Sequence, residues 1–253
     1  MLTLIGIGLC DENDISLKGL QAIKEADAVY LEGYTSLLQV PISNLEALYE
    51  KEVIVLDRQA IEITINDVLE QAKQKNVCLL IIGDVFSATT HADLYLRAKE
   101  QDIPINVIHN ASILNAIGAT GIDLYKFGRA TTLVYHEKSY EPESFYDVIK
   151  ENHARELHTL CLLDIKADQE RYMTVSEAVK LLRKIDDKRE EQLFNKQTKA
   201  VGCARIATPT QKILYATLDE LEEANWGGAP QTLIIPGKLH DVEEEMLEAM
   251  SKE

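Results

Sequence analysis

The chain has 253 residues, 46% apolar and 27% charged, a composition ordinary for a globular protein of one or two domains. Its formal net charge of −16 argues against a protein that binds nucleic acid along the phosphates, because such proteins carry a basic face. No apolar run approaches the roughly 20 residues that cross a bilayer, and the N-terminus has no basic stretch with a cleavage site, so we expect no membrane partner and no secretory signal.

Apolar runs alternate with helix-like segments along nearly the whole chain. Such alternation is typical of α/β architecture with mostly parallel or mixed sheets. Five predicted strands precede residue 110 and five follow it, so we predict two α/β domains, residues 1–110 and 111–253. The small-residue stretch HNASILNAIGATG (109–121) would form a hinge or an inter-domain helix. The predicted strands are 2–7, 27–31, 53–57, 77–82, 105–109, 131–135, 158–164, 200–206, 213–217 and 232–236.

Helix starts can be read at three places. Residues 17–23 carry leucine and isoleucine at the spacing of one helix face. Ser43-x-x-Glu46 and Thr174-x-x-Glu177 have the spacing of a capping box, in which each residue satisfies a free backbone amide of the other. We therefore expect helices to begin at these positions.

The four cysteines indicate a reducing compartment. Cys10, Cys78, Cys161 and Cys203 are scattered without a C-x-x-C spacing, and three of them lie in apolar, strand-like runs. We expect reduced, buried thiols, no metal site and a cytoplasmic location. The acidic balance is compatible with a cationic ligand or a basic protein partner.

The first predicted strand ends in a glycine-containing turn, GIGLCDENDISLKG (6–19). Gly6-x-Gly8 between a strand and a helix is part of a dinucleotide-binding fingerprint, and Glu32 after the next strand could hold a ribose. However, Asp11 occupies the place of the third glycine, and the acidic loop would crowd a pyrophosphate. The glycines more readily indicate a tight turn beside some other ligand.

A second candidate site follows the most apolar strand, in LLIIGDVFSATTHADL (79–94). Asp84 comes directly after Gly83 at the carboxyl end of a central strand, where open α/β sheets place ligands. Ser87 supplies a hydroxyl nearby. The alternative is a capped turn without a ligand.

The end of the same stretch would start the next helix. Thr90-x-x-Asp93 could cap it. His91 has no second imidazole or thiolate near it in sequence, which disfavours a metal site, and the absent glycine-lysine pair excludes a P-loop.

A third candidate site is LLDIK (162–166), where an acid and a lysine end another apolar strand. Asp164 and Lys166 are two residues apart and share one face of an extended chain. A structural salt bridge and a catalytic role both remain open.

These features, in this order, resemble the diphthine synthases, a family of S-adenosylmethionine-dependent methyltransferases in the tetrapyrrole-methylase-like class. The resemblance covers nearly the whole chain. YTSL, ATTHA and PGKLH are more particular to the family than the Gly-Asp turn, in which Val85 stands where the class often has proline. The matching stretches are GIGLCDENDISLKG (6–19), YLEGYTSLL (30–38), GDVFSATTHADL (83–94), ASILNAIGATGIDLYKFGRATT (111–132), YDVIKEN (146–152), LHTLCLLDIKA (157–167), YMTVSEA (172–178) and IIPGKLH (234–240).

The resemblance implies two α/β domains with S-adenosylmethionine in the cleft between them, in a homodimer. It implies methylation of a modified histidine on translation elongation factor 2, whose side chain already carries a 3-amino-3-carboxypropyl group. Successive methyl transfers to its amine give the quaternary ammonium of diphthine, and each releases S-adenosylhomocysteine. In related members the carboxylate is methylated too.

The resemblance also implies a set of cofactor-binding residues. Among them Asp84 would accept a hydrogen bond from the ammonium or the ribose of the cofactor, while the leucine, isoleucine and alanine positions would supply backbone groups and apolar walls. The implied set is Leu9, Asp84, Ser87, Ser112, Ile113, Leu163, Ala204 and Gln231.

Methyl transfer from a sulfonium is an in-line displacement that depends mainly on positioning. The amine must lose a proton before each attack, and water, Tyr34 or Asp164 could accept it. We hypothesise that no acid–base residue is indispensable. A tetrapyrrole-type small-molecule methyltransferase, a nicotinamide-dependent oxidoreductase and a non-enzymatic binding module remain alternatives.

Overall fold

A computed structural model describes residues 1–34 and 36–251, and within residues 58–64 it describes the backbone alone. Thr35, in the YTSL stretch, therefore lies outside the described residues. The chain forms two compact units: unit 1 comprises Met1–Ala116 and Lys166–Glu170, and unit 2 comprises Ile117–Ile165 and Arg171–Glu253. A single domain boundary after residue 110 stays a prediction.

Unit 1 is built on a five-stranded sheet. Its strands are β1 (Leu2–Gly6), β2 (Ala28–Glu32), β3 (Ile54–Leu56), β4 (Val77–Ile81) and β5 (Ile105–Ile108). They lie in the order β3-β2-β4-β1-β5, and every neighbouring pair is parallel. The carboxyl ends of all five strands therefore meet at one edge of the sheet, the edge at which ligands bind in open α/β sheets.

Helices cover both faces of this sheet. Alternate residues of β4 face opposite sides, so Leu79 packs in a cluster with Leu69, whereas Leu80 packs in another with Ile23 and Leu45. Burial on both faces explains why the central strands read as unbroken apolar runs. The helices of unit 1 are α1 (Leu17–Lys24), α2 (Ile42–Tyr49), α3 (Arg58–Ala72), α4 (Ala92–Glu100) and α5 (Ile113–Ala116).

Unit 2 contains a second five-stranded sheet, which is mixed. β8 (Ile165–Lys166), at the sequence boundary between the units, pairs with β9 (Arg171–Tyr172) in a separate two-stranded sheet. The strands of the five-stranded sheet are β6 (Thr131–Leu133), β7 (Thr159–Leu163), β10 (Lys199–Ala204), β11 (Lys212–Thr217) and β12 (Gln231–Ile235). The order is β11-β10-β12-β7-β6, with β6 and β7 parallel and the other pairs antiparallel. Its helices are α6 (Ser144–Ala154), α7 (Val175–Arg189), α8 (Leu218–Glu223) and α9 (Asp241–Met250).

The predicted α/β architecture is confirmed, and so are the ten predicted strands, each to within two residues at either end. β8 and β9 were missed because two-residue strands carry no periodic pattern. The expected burial of cysteine holds for Cys78, Cys161 and Cys203, which are buried free thiols in strands. In residues 1–34 and 36–251 no helix has the length and apolar character that crossing a bilayer requires.

The capping predictions give a mixed result. Thr174 and Glu177 form the predicted capping box at the start of α7. The prediction for Ser43 is wrong, because α2 begins at Ile42 with Pro41 as its N-cap. Proline fixes φ near −60°, which pre-organises an earlier helix start.

Two further details of the helix predictions are wrong. α4 has His91, not Thr90, at its N-cap position, and that residue makes no side-chain capping bond. In α1 the side chain of Ile23 is buried, but that of Leu17 is 85% exposed. Leu17, the first residue of α1, lies six residues before Ile23 and is outside the apolar cluster that contains Ile23 and against which Leu20 packs.

Candidate active site

Two strand-end turns of unit 1 pair directly through their backbones. Gly8 donates to the carbonyl of Gly83 at 3.2 Å and accepts from the amide of Gly83 at 2.7 Å. Both glycines have φ near +80°, a region that residues with a Cβ rarely adopt. A Cβ on Gly6 would lie 2.7 Å from the Gly83 carbonyl oxygen. Glycine is therefore required where the turns after β1 and β4 meet.

The acidic loop after Gly8 bonds to its own backbone. Asp14 Oδ2 accepts hydrogen bonds from the amides of Leu9 at 2.9 Å and Cys10 at 2.7 Å. These amides occupy the place where a dinucleotide fingerprint would present donors to a pyrophosphate. The carboxylate of Glu32 is fully buried and accepts from the amide of Tyr34 at 2.8 Å, so it is not available to a ribose. The geometry disfavours a nicotinamide site.

Asp84 lies at the centre of a hydrogen-bond network at the same sheet edge. Its Oδ1 accepts from Phe86 N at 3.1 Å and from Ser87 Oγ at 2.9 Å. Its Oδ2 accepts from Asn110 N at 3.1 Å and contacts His109 Nδ1 at 2.8 Å. Four donors from the protein thus match the roughly four lone-pair positions of a carboxylate. Asp84 holds the turn after β4 to the turn after β5.

The environment of Asp84 keeps it ionised. The residue is 6% exposed, and burial acts to raise the pKa of its carboxyl. The four hydrogen bonds outweigh burial and hold the pKa of Asp84 below its ordinary value. A carboxylate at neutral pH is therefore part of the site.

Leu9 and Ser112 lie close to Gly83. A Cβ built on Gly83 would lie 3.8 Å from Ser112 Cβ and 3.9 Å from both Leu9 Cδ2 and the Ala111 carbonyl oxygen. Ser112 is buried and its Oγ accepts from the amide of Leu114 at 3.2 Å, at the start of the short helix α5. The sequence-predicted residues of unit 1, with Ile113 as the first residue of α5, therefore lie at one sheet edge.

The three predicted cofactor residues of unit 2 are also neighbours, on adjacent strands. Ala204 and Gln231 are partners in the antiparallel pair β10–β12. Thr232 is the partner of Leu162, so the next position, Leu163, lies beside Gln231. Gln231 Oε1 accepts a hydrogen bond from Val175 N at 2.9 Å. Residues that lie 27 or more positions apart in sequence thus lie side by side in unit 2, and their contact with a cofactor stays a prediction.

The other candidate residues have mainly structural contacts. Asp164 Oδ2 accepts from the amide of Tyr135 at 3.0 Å. His91 is buried, and neither of its ring nitrogens has a hydrogen-bond partner among the described residues. Burial lowers the pKa of His91, although the charge of Glu32 opposes that effect. Among the described side chains, those of residues 1–34, 36–57 and 65–251, no cluster of three or more histidine, cysteine or acidic groups could hold a metal.

The sequence interpretation missed His109 and Asn110. Asn110 Nδ2 donates to the carbonyls of Gly6 at 3.0 Å and Asp14 at 2.9 Å, which joins the turns after β1 and β5. His109 is one of the residues that line a groove of about 560 Å³ in unit 1. The sequence did contain a signal for these two residues. The polar residues HNAS (109–112) follow β5, which is parallel to β1, so they lie at the same sheet edge as Asp84.

Comparison with known proteins decides between the remaining interpretations. The sequence profile of the tetrapyrrole (corrin/porphyrin) methylases matches residues 1–222. The diphthine methyl ester synthase of Schizosaccharomyces pombe is 43% identical over 98% of this chain and 94% of the relative. The diphthine synthase of Methanococcus aeolicus is 41% identical over 98% of this chain and 96% of its own length. The chain belongs to the diphthine synthases of the tetrapyrrole methylase family.

Solved structures agree with this placement. The crystal structure of a putative diphthine synthase from Entamoeba histolytica has a TM-score of 0.92 and 41% sequence identity, over 99% of this chain and 98% of the other. A further diphthine synthase crystal structure has a TM-score of 0.89 and 35% identity, over 99% and 96% of the two chains. As a member of the diphthine synthases the chain is a methyltransferase in diphthamide biosynthesis, which confirms the predicted activity.

Proposed function

We propose that this methyltransferase acts on translation elongation factor 2. The acceptor is the amine of the 3-amino-3-carboxypropyl-histidine side chain, and successive transfers lead to trimethylated diphthine. Full-length similarity to proteins named diphthine synthase and diphthine methyl ester synthase supports this substrate. A tetrapyrrole-type substrate receives less support, because these relatives match more of the chain than the broader tetrapyrrole methylase profile does.

The methyl donor in this proposal is S-adenosylmethionine, and S-adenosylhomocysteine is released. The residue types around Gly83 fit such a ligand, with an apolar side chain from Leu9 and the buried hydroxyl of Ser112. In unit 2 Leu163 and Ala204 are buried apolar residues on the strands beside Gln231, whose side chain carries an amide. Apolar walls with a few convergent polar groups are typical of sites for adenosyl ligands. When bound, the cofactor supplies the methyl group from its sulfonium.

In this proposal the residues of the chain bind and orient. Asp84 maintains the strand-end turns around Gly83, because its Oδ1 holds Phe86 and Ser87 and its Oδ2 holds Asn110. A direct bond from Asp84 to the donor ammonium stays a prediction, since four protein donors already approach the carboxylate. The homodimer, the position of the cofactor between domains and the cytoplasmic location also stay predictions.

The product can include a methyl ester as well as the trimethylated amine. The names of the relatives from Schizosaccharomyces pombe, Dictyostelium discoideum and Bos taurus support this second product, whereas the name of the Methanococcus aeolicus relative stops at diphthine. Mass spectrometry of the modified peptide distinguishes three added methyl groups from four. Mild alkali removes an ester methyl and leaves the amine methyls in place.

The substrate proposal is tested with labelled S-adenosylmethionine. We expect label on elongation factor 2 that carries the aminocarboxypropyl intermediate, and none on the unmodified factor. Label on neither protein would reject the proposed substrate, and equal label on both would show that the modified histidine is not the acceptor.

A further inference from the structure

An acid–imidazole pair lies at the edge of the candidate site. His109 Nδ1 is 2.8 Å from Asp84 Oδ2. The side chain of Asp84 is 8% exposed, whereas that of His109 is 63% exposed. The pair therefore has a buried acid and an imidazole that reaches solvent.

The buried acid determines which ring nitrogen carries the proton. Asp84 remains ionised, so its oxygens only accept hydrogen bonds, and the 2.8 Å contact requires a hydrogen on His109 Nδ1. A neutral imidazole with hydrogen on Nδ1 has a free lone pair on Nε2. The ring of Phe86 lies 6.0 Å from that of His109 in an edge arrangement, which further restricts the orientation of the imidazole.

The pair is placed beside the predicted cofactor residues of unit 1. Asn110, the next residue, donates its amide to the same oxygen of Asp84 that His109 contacts. Two residues further along the chain, Ser112 lies next to Gly83. The exposed imidazole thus projects at the sheet edge that carries Leu9, Asp84 and Ser112.

We propose that His109 Nε2 accepts the proton that the substrate amine must lose before each methyl transfer. This inference depends on the proposed function. A proton passes from the substrate ammonium to Nε2, the freed nitrogen lone pair forms the new bond to the methyl carbon, and the carbon–sulfur bond breaks with its electron pair on sulfur. The imidazolium then releases the proton to solvent through the exposed ring. Asp84 positions the ring and stabilises the imidazolium charge, as carboxylates do in acid–imidazole pairs.

His109 fits this role better than the two sequence-predicted acceptors. A phenol ordinarily carries its own proton at neutral pH, and a carboxylate is ordinarily a weaker base than an imidazole. Asp164 is further held by the amide of Tyr135 at 3.0 Å. Histidine is the side chain whose ordinary titration range matches proton transfer near neutral pH.

The decisive variant is His109→Asn. The asparagine amide can still donate to Asp84 from near the position of Nδ1, but it has no acceptor at the position of Nε2. His153→Asn, an exposed histidine of α6, is the matched control. Single-turnover methyl transfer to elongation factor 2 bearing the intermediate is measured for each protein, together with calorimetric affinity for S-adenosylhomocysteine.

We expect His109→Asn to slow methyl transfer by about 10²–10⁴-fold, the usual contribution of a positioned base, with the affinity unchanged within about threefold. Free imidazole should partly restore the rate of His109→Ala, a recovery that a purely structural role would not give. Transfer by His109→Asn within about threefold of the wild-type rate, or no rescue of a folded His109→Ala, would overturn the inference. Absence of transfer by the wild-type enzyme would instead reject the proposed substrate.

A readout without turnover tests the same geometry. In nitrogen-15 spectra of histidine-labelled protein, the signals of His109 are assigned from their loss in His109→Asn. We expect the neutral ring to carry its hydrogen on Nδ1 in the wild type, and this preference to be lost in Asp84→Asn. A neutral ring with hydrogen on Nε2 in the wild type would contradict the proposed base.

Discussion

Each unit of the molecule contains a carboxylate–imidazole pair, but the two pairs differ in exposure. In unit 1 Asp84 contacts His109, whose side chain is 63% exposed. In unit 2 Glu243 Oε1 lies 3.1 Å from Nε2 of His158, whose side chain is fully buried. The other nitrogen of His158 accepts from the amide of Gly237 at 3.0 Å. Both ring nitrogens of His158 are thus bonded.

The pair in unit 2 is part of a closed network. Besides His158, Glu243 accepts from Lys126 Nζ at 2.8 Å, Asp123 N at 3.0 Å and His240 N at 2.7 Å. Burial acts to raise the pKa of Glu243, but these hydrogen bonds lower it to about 2. Burial lowers the pKa of His158, so the ring is neutral and donates from Nε2.

The contrast shows what separates a structural pair from a candidate catalytic one. In both pairs a carboxylate accepts four hydrogen bonds from the protein. Of the two imidazoles, only that of His109 leaves Nε2 accessible, because its side chain is largely exposed whereas that of His158 is buried with Nε2 at Glu243. The PGKLH stretch next to this network needs its glycine, because a Cβ on Gly237 would lie 2.4 Å from Glu156 backbone atoms.

The largest effect on stability is expected from Glu243→Ala. It leaves several buried donors without an acceptor, so we expect a loss of about 3–5 kcal/mol in the free energy of unfolding. Urea titration at neutral pH measures this, with the exposed neighbour Glu244→Ala as the control. A loss below about 1 kcal/mol would show that the network of unit 2 contributes little.

The same network predicts a pH dependence. The folded pKa of Glu243 is about 2, below its ordinary value of 4.5, so its contribution is complete above the ordinary value and disappears as the pH falls toward 2. The difference between the folded and the ordinary pKa corresponds to roughly 3 kcal/mol in the free energy of unfolding. Wild type and Glu243→Gln should therefore converge in stability as urea titrations move from pH 6 to pH 3. A constant difference over that range would contradict the assignment.

In unit 1 the expected effect is on binding. Asp84→Ala removes the acceptor that holds the turns after β4 and β5, so affinity for S-adenosylhomocysteine should weaken by roughly 1.5–3 kcal/mol. Calorimetric titration measures this, with Asp93→Ala on the exposed side of α4 as the control. Unchanged affinity would remove Asp84 from the binding site.

The smallest effects are expected from the two acceptors that the sequence indicated. Tyr34→Phe and Asp164→Asn should each change the turnover rate by less than about tenfold, because the proposed proton acceptor is His109. Turnover and cofactor affinity are measured for both variants. If either variant lost more than about a thousandfold in turnover while its cofactor affinity stayed intact, that residue would be essential. Such a result would weaken the distinction between the exposed acid–imidazole pair of unit 1 and the buried pair of unit 2.

Much of the candidate site could be anticipated from the sequence, but its connections could not. The strand-end glycines and Asp84 were readable because a buried apolar run stops there and polar residues follow. His109 was not recognised, since its contact joins residues 25 positions apart on two different strand-end turns. The three residues of unit 2 became neighbours only through strand pairing across β10, β12 and β7.

The sequence by itself determined the strands, the α/β class and the family, because apolar runs, glycine turns and motif order are local properties of the chain. Only the tertiary structure decided which polar side chains already have hydrogen-bond partners within the protein. Asp84 and Glu243 are both acids in the sequence, yet one supports an exposed imidazole and the other a buried one. The physical reason is that burial and hydrogen-bond partners depend on distant segments, which meet only when the sheets assemble.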